Sequence, residues 1–266
     1  MLRIGVDMHT HTMFSGHAYC TVRDNVLEAK DHGLEGIGIA DHYGEQFLNV
    51  DVSGEADPGK MFGAMGHLFN VTALPREWHG VRIYRSVEAD ICDARGNIFG
   101  HQFMLPSRNG KVGTLADAIL GTTDYAIASV HFLPNLKEIT ADEGTAMYCK
   151  ALENPKVMML GHIGRAGVAF HIDEVLKAAR EKGKIIEIND HSFDFEGPIA
   201  DICRKIAIRC AELGVWIAVN SDAHCSASVG VVTNAMKMLE EIGFPQELVA
   251  NESAAKLDSI IAKATA

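Results

Sequence analysis

The chain has 266 residues, of which 47% are hydrophobic, so it can form one large α/β barrel or two small domains. Its formal net charge of −11 argues against a protein that binds nucleic acid or anionic membranes through a basic surface. No segment approaches the roughly 20 apolar residues of a membrane span, and the N-terminus does not resemble a signal peptide. We therefore expect a cytoplasmic protein with no nucleic-acid or membrane partner; composition leaves its oligomeric state open.

The six cysteines include no Cys-x-x-Cys pair, and their spacing suggests no disulfide framework. Reduced, mostly buried thiols are the simplest interpretation. Cys225 directly follows a candidate metal ligand. Adjacent residues in a strand or turn point apart, so we do not expect Cys225 to bind metal.

The first predicted strand, Ile4–Met8, leads directly into His9 and His11. Residues i and i+2 of a strand point to the same side, so these two imidazoles face one point. Imidazole is the commonest protein ligand of zinc-like metals, and His17 follows in the next loop. The start of the chain therefore predicts the first ligands of a metal site.

The next elements are a helix over Val22–His32 and a strand over Gly36–Ala40, which runs into Asp41-His42. Gly33 lies between them and supplies a stop signal for the helix. A passage from helix through glycine to strand is typical of a βα unit, and it recurs in the second half of the chain.

The region Phe47–His79 is less regular. Asp51–Lys60 is polar and rich in glycine, which predicts a loop, while Gly59–Leu74 predicts a helix. Because this region follows the strand end that carries His42, we expect it to cover or flank the mouth of the site.

Five more apolar runs predict parallel strands buried on both faces, because they lack polar alternation. They cover Val81–Val87, Tyr125–Val130, Val157–Leu160, Ile185–Ile188 and Val215–Val219. Further helices are predicted over Asp173–Lys182, Ile202–Leu213, Val231–Ile242 and in the region from Pro245 to the C-terminus. Seven strands with intervening helices predict a closed α/β barrel in a single domain spanning residues 1–266. An open doubly wound sheet is the alternative, although the chain has neither a Gly-x-Gly-x-x-Gly motif nor a P-loop.

Active sites of βα barrels form where the C-terminal strand ends converge. Nine good ligands would meet there: His9, His11, His17, His42, Glu88, His131, His162, Asp222 and His224. One histidine at a strand end usually has an ordinary hydrogen-bonding role, but seven of the 13 histidines share these positions. Zinc takes about four ligands, so nine side chains favour two or three ions of zinc, manganese or iron. We expect five other histidines to be solvated: His32, His67, His79, His101 and His171.

The motif Asp7-x-His9-x-His11, with the later candidate ligands through Asp222-x-His224, resembles the PHP (polymerase and histidinol phosphatase) superfamily. Within it, the chain is most similar to the small bacterial trinuclear-zinc phosphatases. Further matches are His17-Ala18-Tyr19, Asp41-His42, Glu187-Ile188-Asn189 and Phe244-Pro245 with Asn251. The resemblance covers nearly the whole chain and implies a distorted (β/α)7 TIM-like barrel of PHP type, in agreement with the seven predicted strands.

The resemblance also implies three divalent metal ions, with zinc expected and manganese or iron as alternatives. One ion would be held by His9, His11, Glu88 and Asp222. Glu88 would bridge to a second ion, which is also held by His131 and His162. The third ion would be held by His17, His42 and His224.

A small phosphate monoester suits such a site, because a metal-bound hydroxide can attack phosphorus while the ions neutralise charge. Glu88 and Asp222 would then serve catalysis as metal bridge and metal ligand. One alternative is a phosphodiesterase or exonuclease, which an acidic chain without a basic groove disfavours. A non-catalytic metal-binding module is another, which the complete ligand set disfavours. A third alternative is an amidohydrolase, which would have eight strands instead of the seven predicted here and often a carboxylated lysine.

Three residues depart from the family pattern: Ile163, Arg165 and His191. Arg165 is a candidate for binding the substrate phosphate, because arginine can bind phosphate bidentately. A solvated loop cation is an equally good interpretation. His191 is a candidate general acid for the leaving oxygen, and an exposed loop histidine is the simpler alternative. These departures leave the physiological substrate open.

Four aspartates lie close to candidate ligands in the sequence. We interpret Asp7 and Asp41 as acceptors that orient neighbouring imidazoles, with backbone bonds inside the barrel as the alternative for Asp7. We assign Asp90 and Asp93 to the turn that runs from Asp93 to Asn97.

Overall fold

The computed structural model describes residues 2–47, 58–106, 112–194 and 197–264. Its strands are β1 (Val6–Thr10), β2 (Gly36–Ile39), β3 (His42–Tyr43), β4 (Glu77–Trp78), β5 (Val81–Arg85), β6 (Glu88–Asp90), β7 (Met104–Pro106), β8 (Val112–Thr114), β9 (Ala126–Ser129), β10 (Val157–Leu160), β11 (Ile185–Asn189) and β12 (Trp216–Asn220). Its helices are α1 (Val22–Asp31), α2 (Pro58–Phe69), α3 (Leu115–Leu120), α4 (Ala141–Ala151), α5 (Ile172–Glu181), α6 (Pro198–Leu213), α7 (Thr233–Glu241) and α8 (Ala254–Ala264). Among the described residues, no helix has the length and apolar character needed to cross a membrane.

Two largely parallel sheets carry the site. The first has the order β1-β2-β5-β4, with β4 antiparallel to its neighbour. The second has the order β12-β11-β10-β9-β6-β3, with every pair parallel. A bridge between Thr10 and Ala223 connects the end of β1 to the segment that leaves β12. The predicted parallel α/β class is confirmed, and each of the seven predicted apolar runs overlaps a strand, although β1, β11 and β12 extend beyond the predicted ends.

Two of the predicted strands, β2 and β5, are each followed after a short break by a second strand that belongs to the other sheet. β2 pairs with β5 in the first sheet, whereas β3 pairs with β6 in the second. A backbone hydrogen bond from Glu88 N to Asp41 O, 3.1 Å long, lies close to the break. The interruption places His42 and Glu88 opposite each other as register partners at the edge of the second sheet.

The helix predicted over Gly59–Leu74 differs in its bounds. α2 begins at Pro58 and ends at Phe69, and Val71–Ala73 form a separate 3-10 turn. Pro58–Lys60, predicted as the end of a loop, are therefore helical. Proline is well tolerated in the first turn of a helix, which explains this start. The rest of the predicted loop, residues 51–57, lies outside the described residues.

The helices α3 and α4 have no counterpart in the sequence prediction. The start of α4 is marked by a capping box between Thr140 and Glu143, but Gly144 weakens its helical pattern. Close packing requires this glycine, because a Cβ at Gly144 would lie 2.0 Å from the carbonyl oxygen of Ala169. Here tertiary packing overrides local propensity.

A buried apolar cluster joins both sheets to α8. Its members include Val6, Met8, Tyr84, Tyr125, Ile127, Met159, Ile185, Ala218 and Leu257. The Tyr125 hydroxyl donates a 2.6 Å hydrogen bond to the carbonyl of Met8, the residue before His9. Gly38 leaves room for this bond, since a Cβ there would lie 2.1 Å from the hydroxyl oxygen. Close packing at Met8 therefore fixes the position of β1, the strand that carries His9.

Asn251 ties the C-terminal segment to β1 and β12. Its fully buried Nδ2 donates to the carbonyl oxygens of Val6 and Val219, each at 2.7 Å. Its Oδ1 accepts from the backbone N–H of Val219 at 3.1 Å. The resemblance to PHP proteins pointed to Asn251, and the structure gives this residue a structural role.

We expect Asn251→Ala to lower the free energy of unfolding by about 3 kcal/mol, because three buried hydrogen bonds are lost at about 1 kcal/mol each. Unfolding in urea, followed by circular dichroism, measures the change. Asn70→Ala is the matched control, since Asn70 is exposed and makes no side-chain cap bond. Equal stability losses in the two variants would contradict the role of Asn251.

Candidate metal centre

All nine predicted ligands fall within the described residues, and the strand ends bring them to one place. His9 lies in β1, His42 opens β3 and Glu88 opens β6. His131, His162 and Asp222 each follow their strands, β9, β10 and β12, by two residues. Parallel strands deliver their C-terminal ends to the same edge, which is why residues so far apart in the sequence meet.

The carboxylate of Glu88 is fully buried and lies at the centre of the cluster. Five imidazoles approach it: His42 Nδ1 at 2.8 Å, His162 Nε2 at 2.9 Å, His9 Nε2 at 3.3 Å, His131 Nε2 at 3.4 Å and His11 Nε2 at 3.5 Å. The Ser129 hydroxyl also donates to Glu88, at 2.6 Å. Asp222 Oδ1 lies opposite, 3.1 Å from His11 Nε2 and 3.5 Å from His9 Nε2.

Three groups of side chains among the described residues have potential ligand atoms that all lie within 4.8 Å of one another. They are His9, His11, Glu88 and Asp222; His42, Glu88 and His131; and His11, His42 and His224. The first has the same members as one predicted ligand set. The second contains His42 where the prediction has His162, and the third contains His11 where it has His17. His17 lies at the edge, with its ring 4.5 Å from that of His224 and 5.0 Å from that of His42.

The acids at the centre are held in their charged form. Burial would raise the pKa of Glu88, but the imidazoles of His131, His9 and His42 outweigh it and hold this pKa well below its usual value. Burial opposes ionisation of Asp222 in the same way, and His9 and His11 hold its pKa well below the usual value. Both side chains are therefore carboxylates near neutral pH, the form that binds divalent cations.

Five of the imidazoles divide into two classes by the direction of their pKa shift. Burial lowers the pKa of His11, His162 and His224, so these rings are neutral and offer a lone pair. Burial would also lower the pKa of His9 and His131, but nearby carboxylates, Glu88 first, outweigh it. They hold the pKa of His9 well above its usual value and raise that of His131 to about 10.

Several buried ligand atoms have no hydrogen-bond partner in the described part of the chain. They include His9 Nε2, His42 Nδ1, Glu88 Oε2 and His224 Nε2. His9 Nε2 and His42 Nδ1 lie within 3.3 Å of Glu88 Oε2, but these close approaches do not have hydrogen-bond geometry. Leaving one buried polar atom unpaired costs about 1–3 kcal/mol, so a cluster of them indicates another bonding partner. Mixed imidazole and carboxylate donors are what zinc and similar ions prefer. The donor set therefore fits the predicted divalent metals.

In two of these histidines, the ring nitrogen that points away from the cluster contacts a partner outside it. His131 Nδ1 lies 2.6 Å from Asp90 Oδ1, and His11 Nδ1 lies 2.9 Å from the Ser15 hydroxyl. Such partners fix the ring orientation of metal-binding histidines. The assignment of Asp90 to the turn is wrong, because Asp90 closes β6 and its inward side chain meets His131. Asp93 does belong to the turn, where it accepts from two backbone N–H groups.

The two aspartates that precede ligands act differently. Asp41 accepts from the backbone and hydroxyl of Thr12 and from the Ser15 hydroxyl, at 2.7–2.8 Å. It therefore positions the hydroxyl that meets the His11 ring. Asp7 accepts from the backbone N–H groups of Ser221 and Gly230, so the alternative interpretation, backbone bonds, describes it better.

The backbone is strained at two of the converging residues. His162 has a φ of 33° and Asp222 a φ of 55°, in the left-handed region that few non-glycine residues adopt. Strain of this kind costs about 1–3 kcal/mol and is typical of functional sites. At these two positions a strained backbone conformation directs the side chain into the cluster.

Arg165 and His191 lie beside the cluster. Arg165 Nη2 donates to Asp222 Oδ2 at 2.9 Å, and its buried Nη1 has no hydrogen-bond partner among the described residues. His191 is half exposed, and its Nδ1 lies 2.6 Å from Asp194. It lines a cavity of about 590 Å³, together with His17, Tyr19, Asp222 and His224. This cavity gives the cluster an open side large enough for a small ligand.

The region expected at the mouth contributes aromatic packing. Phe47 stacks on His42 with ring centroids 3.8 Å apart, so this end of the region does cover the cluster. His67 in α2 stacks on Phe14, with centroids 4.8 Å apart, and its Nε2 is buried. The expectation that His67 is solvated is therefore wrong, because α2 packs its ring against the turn after β1.

A model of the PHP domain family matches residues 7–191. The chain belongs to the PHP domain family. It is 34% identical over 260 residues to a probable phosphatase of Acetivibrio thermocellus, covering 98% of this chain and 96% of that protein. It is 36% identical over 258 residues to a probable phosphatase of Caldanaerobacter subterraneus subsp. tengcongensis, covering 96% and 90%.

Solved structures share the fold of this chain at low sequence identity. Histidinol phosphate phosphatase from Lactococcus lactis, complexed with zinc, L-histidinol and phosphate, has a TM-score of 0.54 and 20% identity, covering 92% of this chain and 95% of that chain. A chain of archaeal ribonuclease P with mature tRNA has a TM-score of 0.52 and 10% identity, covering 97% and 90%. These likenesses concern the fold, which is compatible with different activities.

Several residues to which the sequence assigned no role contact the cluster of candidate ligands. Ser129 donates to Glu88, and Asn189 Nδ2 lies 3.1 Å from Asp222 Oδ2. Glu187 lies directly against His9, with Oε1 2.7 Å from Nδ1. Position 189 is two residues from Glu187 in β11, so alternation places both side chains on the face that meets the ligands. That spacing was the available signal.

Glu88→Gln should reduce bound metal to well below that of the unchanged protein, because it removes the central negative charge and the acceptor nearest five imidazoles. Elemental analysis after dialysis against zinc measures the stoichiometry. Glu247→Gln is the control, since Glu247 is exposed and far along the chain from the cluster. Full metal content in Glu88→Gln would show that Glu88 is not a ligand.

Proposed function

We propose that this PHP protein hydrolyses small phosphate monoesters at a site that holds three divalent metal ions. The observation that carries the proposal is the convergence of nine imidazole and carboxylate side chains, with buried Glu88 at their centre. Relatives that match nearly the whole chain are named probable phosphatases, which supports a hydrolase that acts on phosphoric ester bonds. The zinc and phosphate in the Lactococcus lactis enzyme support the same chemistry.

The residues assigned to the metals are those implied by the family. His9, His11, Glu88 and Asp222 would hold one ion, Glu88, His131 and His162 a second, and His17, His42 and His224 a third. Zinc is proposed first, with manganese or iron as alternatives, since imidazole and carboxylate suit all three. When bound, such ions lower the pKa of water to near neutral and neutralise charge on phosphoryl oxygens.

Within this proposal, the protein's own groups bind the ester and handle protons. Arg165 Nη1 is buried beside Asp222 without a hydrogen-bond partner in the described chain, so it can donate to a phosphate oxygen. His191 lines the adjacent cavity and is oriented by Asp194, which suits it to protonate the leaving oxygen. Glu88 and Asp222 contribute negative charge that keeps the ligands assembled.

We also infer that the two sheets are parts of one distorted (β/α)7 barrel in a single domain of residues 1–266. The bridge between Thr10 and Ala223 and the shared contributions of the interrupted strands support this architecture. A cytoplasmic location is proposed with it, which suits six free cysteines.

The metal-loaded protein should hydrolyse p-nitrophenyl phosphate, and dialysis against a chelator should abolish the activity until metal is restored. Release of p-nitrophenol at 405 nm measures the rate, with bis-p-nitrophenyl phosphate as the diester comparison. A fully metallated protein that turns over neither ester would refute the phosphatase and support a non-catalytic module. Preference for the diester would favour a phosphodiesterase.

We expect Arg165→Ala to lower kcat/KM for the monoester about 10- to 100-fold, because a hydrogen bond to a charged group contributes about 1.5–3 kcal/mol. Metal content, measured in parallel, should stay unchanged. Arg204→Ala is the matched control, since Arg204 forms a surface ion pair with Glu241. Unchanged kcat/KM in Arg165→Ala would mean that Arg165 does not bind the phosphate.

A further inference from the structure

The carboxylate of Glu187 is buried and receives four hydrogen-bond donors. Oε1 accepts from His9 Nδ1 at 2.7 Å and from Asn220 Nδ2 at 2.9 Å. Oε2 accepts from the backbone N–H of His162 at 2.8 Å and from Asn189 Nδ2 at 3.2 Å. These partners lie on, or just beyond, four different strands: β1, β10, β11 and β12.

We propose that Glu187 is a positioning residue that fixes His9 and His162, candidate ligands of two different ions, in the orientation needed for metal binding. This inference rests on the proposed metal-dependent function and deepens it. Nothing in the geometry makes Glu187 a ligand itself, because its four near neighbours occupy both oxygens.

The contact with His9 determines which ring nitrogen can bind metal. A carboxylate only accepts hydrogen bonds, so His9 Nδ1 carries a proton and donates the hydrogen bond to Glu187. In the neutral ring that binds metal, the lone pair would then lie on His9 Nε2, which faces Glu88 Oε2 at 3.3 Å and Asp222 Oδ1 at 3.5 Å. Carboxylates that hold metal-binding histidines in this way fix both tautomer and ring orientation.

The contact with His162 acts through the backbone. His162 has the left-handed φ of 33°, which costs free energy, and Glu187 Oε2 holds its N–H. On the other side of the same residue, the Arg165 N–H binds the His162 carbonyl at 2.8 Å. This unusual backbone directs His162 Nε2 to within 2.9 Å of Glu88 Oε1.

Four donors require four acceptor sites, and only a carboxylate at position 187 provides them. Glutamine has nearly the same volume, but its amide replaces one oxygen with an NH₂ group. Two donors would then face two donors, either at His9 and Asn220 or at His162 and Asn189. One of the two candidate ligands must lose its support, whichever way the amide turns.

The test compares zinc affinity and the visible spectrum of cobalt(II)-loaded protein in Glu187→Gln and the unchanged chain. We expect affinity to fall about 10- to 100-fold, as for other residues that support metal ligands. The cobalt(II) absorption bands should also shift, since a repositioned imidazole alters the ligand field. Glu181→Gln, the same exchange at an exposed position at the end of α5, should change neither.

The outcomes separate this inference from the proposed function. If the unchanged protein binds no divalent metal, the proposed function fails. If it binds metal, and Glu187→Gln keeps the same stoichiometry, affinity and cobalt(II) spectrum, the positioning role is overturned. Lower affinity with an unchanged spectrum at saturation would also overturn it, because a purely structural loss leaves the ligand field intact. If Glu187→Gln does not fold, Glu187→Asp keeps both acceptors on a shorter stem. It should shift the spectrum, and an unchanged spectrum and affinity would overturn the role.

Discussion

The burial of one carboxylate, Glu88, among five imidazoles is the constraint on which the rest of the structure depends. A buried charge is tolerated only when other charges and hydrogen bonds compensate it. The compensating groups come from β1, from β3 and from the segments after β9 and β10, so the ends of both sheets must meet within a few ångströms. The interrupted strands meet this requirement, because they pair in one sheet and then carry His42 and Glu88 into the other.

The polar cluster is supported by rigid neighbours rather than by its own bonds. The strand below His9 is fixed by the bond from the Tyr125 hydroxyl to Met8 and by the close approach of Gly38. Around the cluster, Ser129, Asp90 and Glu187 each hold one ligand side chain. In interiors packed this closely, a change in the size or shape of one side chain displaces its neighbours. Substitutions well outside the cluster can therefore change how the ligands are aimed.

The strands and the converging histidines and acids could be predicted from the sequence because each signal is local: a continuous apolar run, then a histidine or an acid where it stops. The remaining features depend on contacts between distant segments. Strand alternation predicts that the side chains of Asp90 and Glu187 point inward. It does not predict which histidine each of them contacts, because that depends on the packing of distant strands. The breaks after β2 and β5 depend on pairing with two different sheets. The helix α4 contains Gly144 because of its contact with Ala169, which local propensity cannot reveal.

The raised pKa values of His9 and His131, maintained by the surrounding carboxylates against burial, have a consequence for metal loading. The raised pKa values favour the doubly protonated imidazolium form of both rings in the metal-free cluster, whereas a divalent ion binds the neutral imidazole. Metal binding at these two rings would therefore release their extra protons to the solvent. The buried charge would then change by less than the charge of the bound metal, which would lower the electrostatic cost of placing a divalent cation beside Glu88. Acidification drives the exchange in the opposite direction, so proton concentration competes with metal concentration for the same centre.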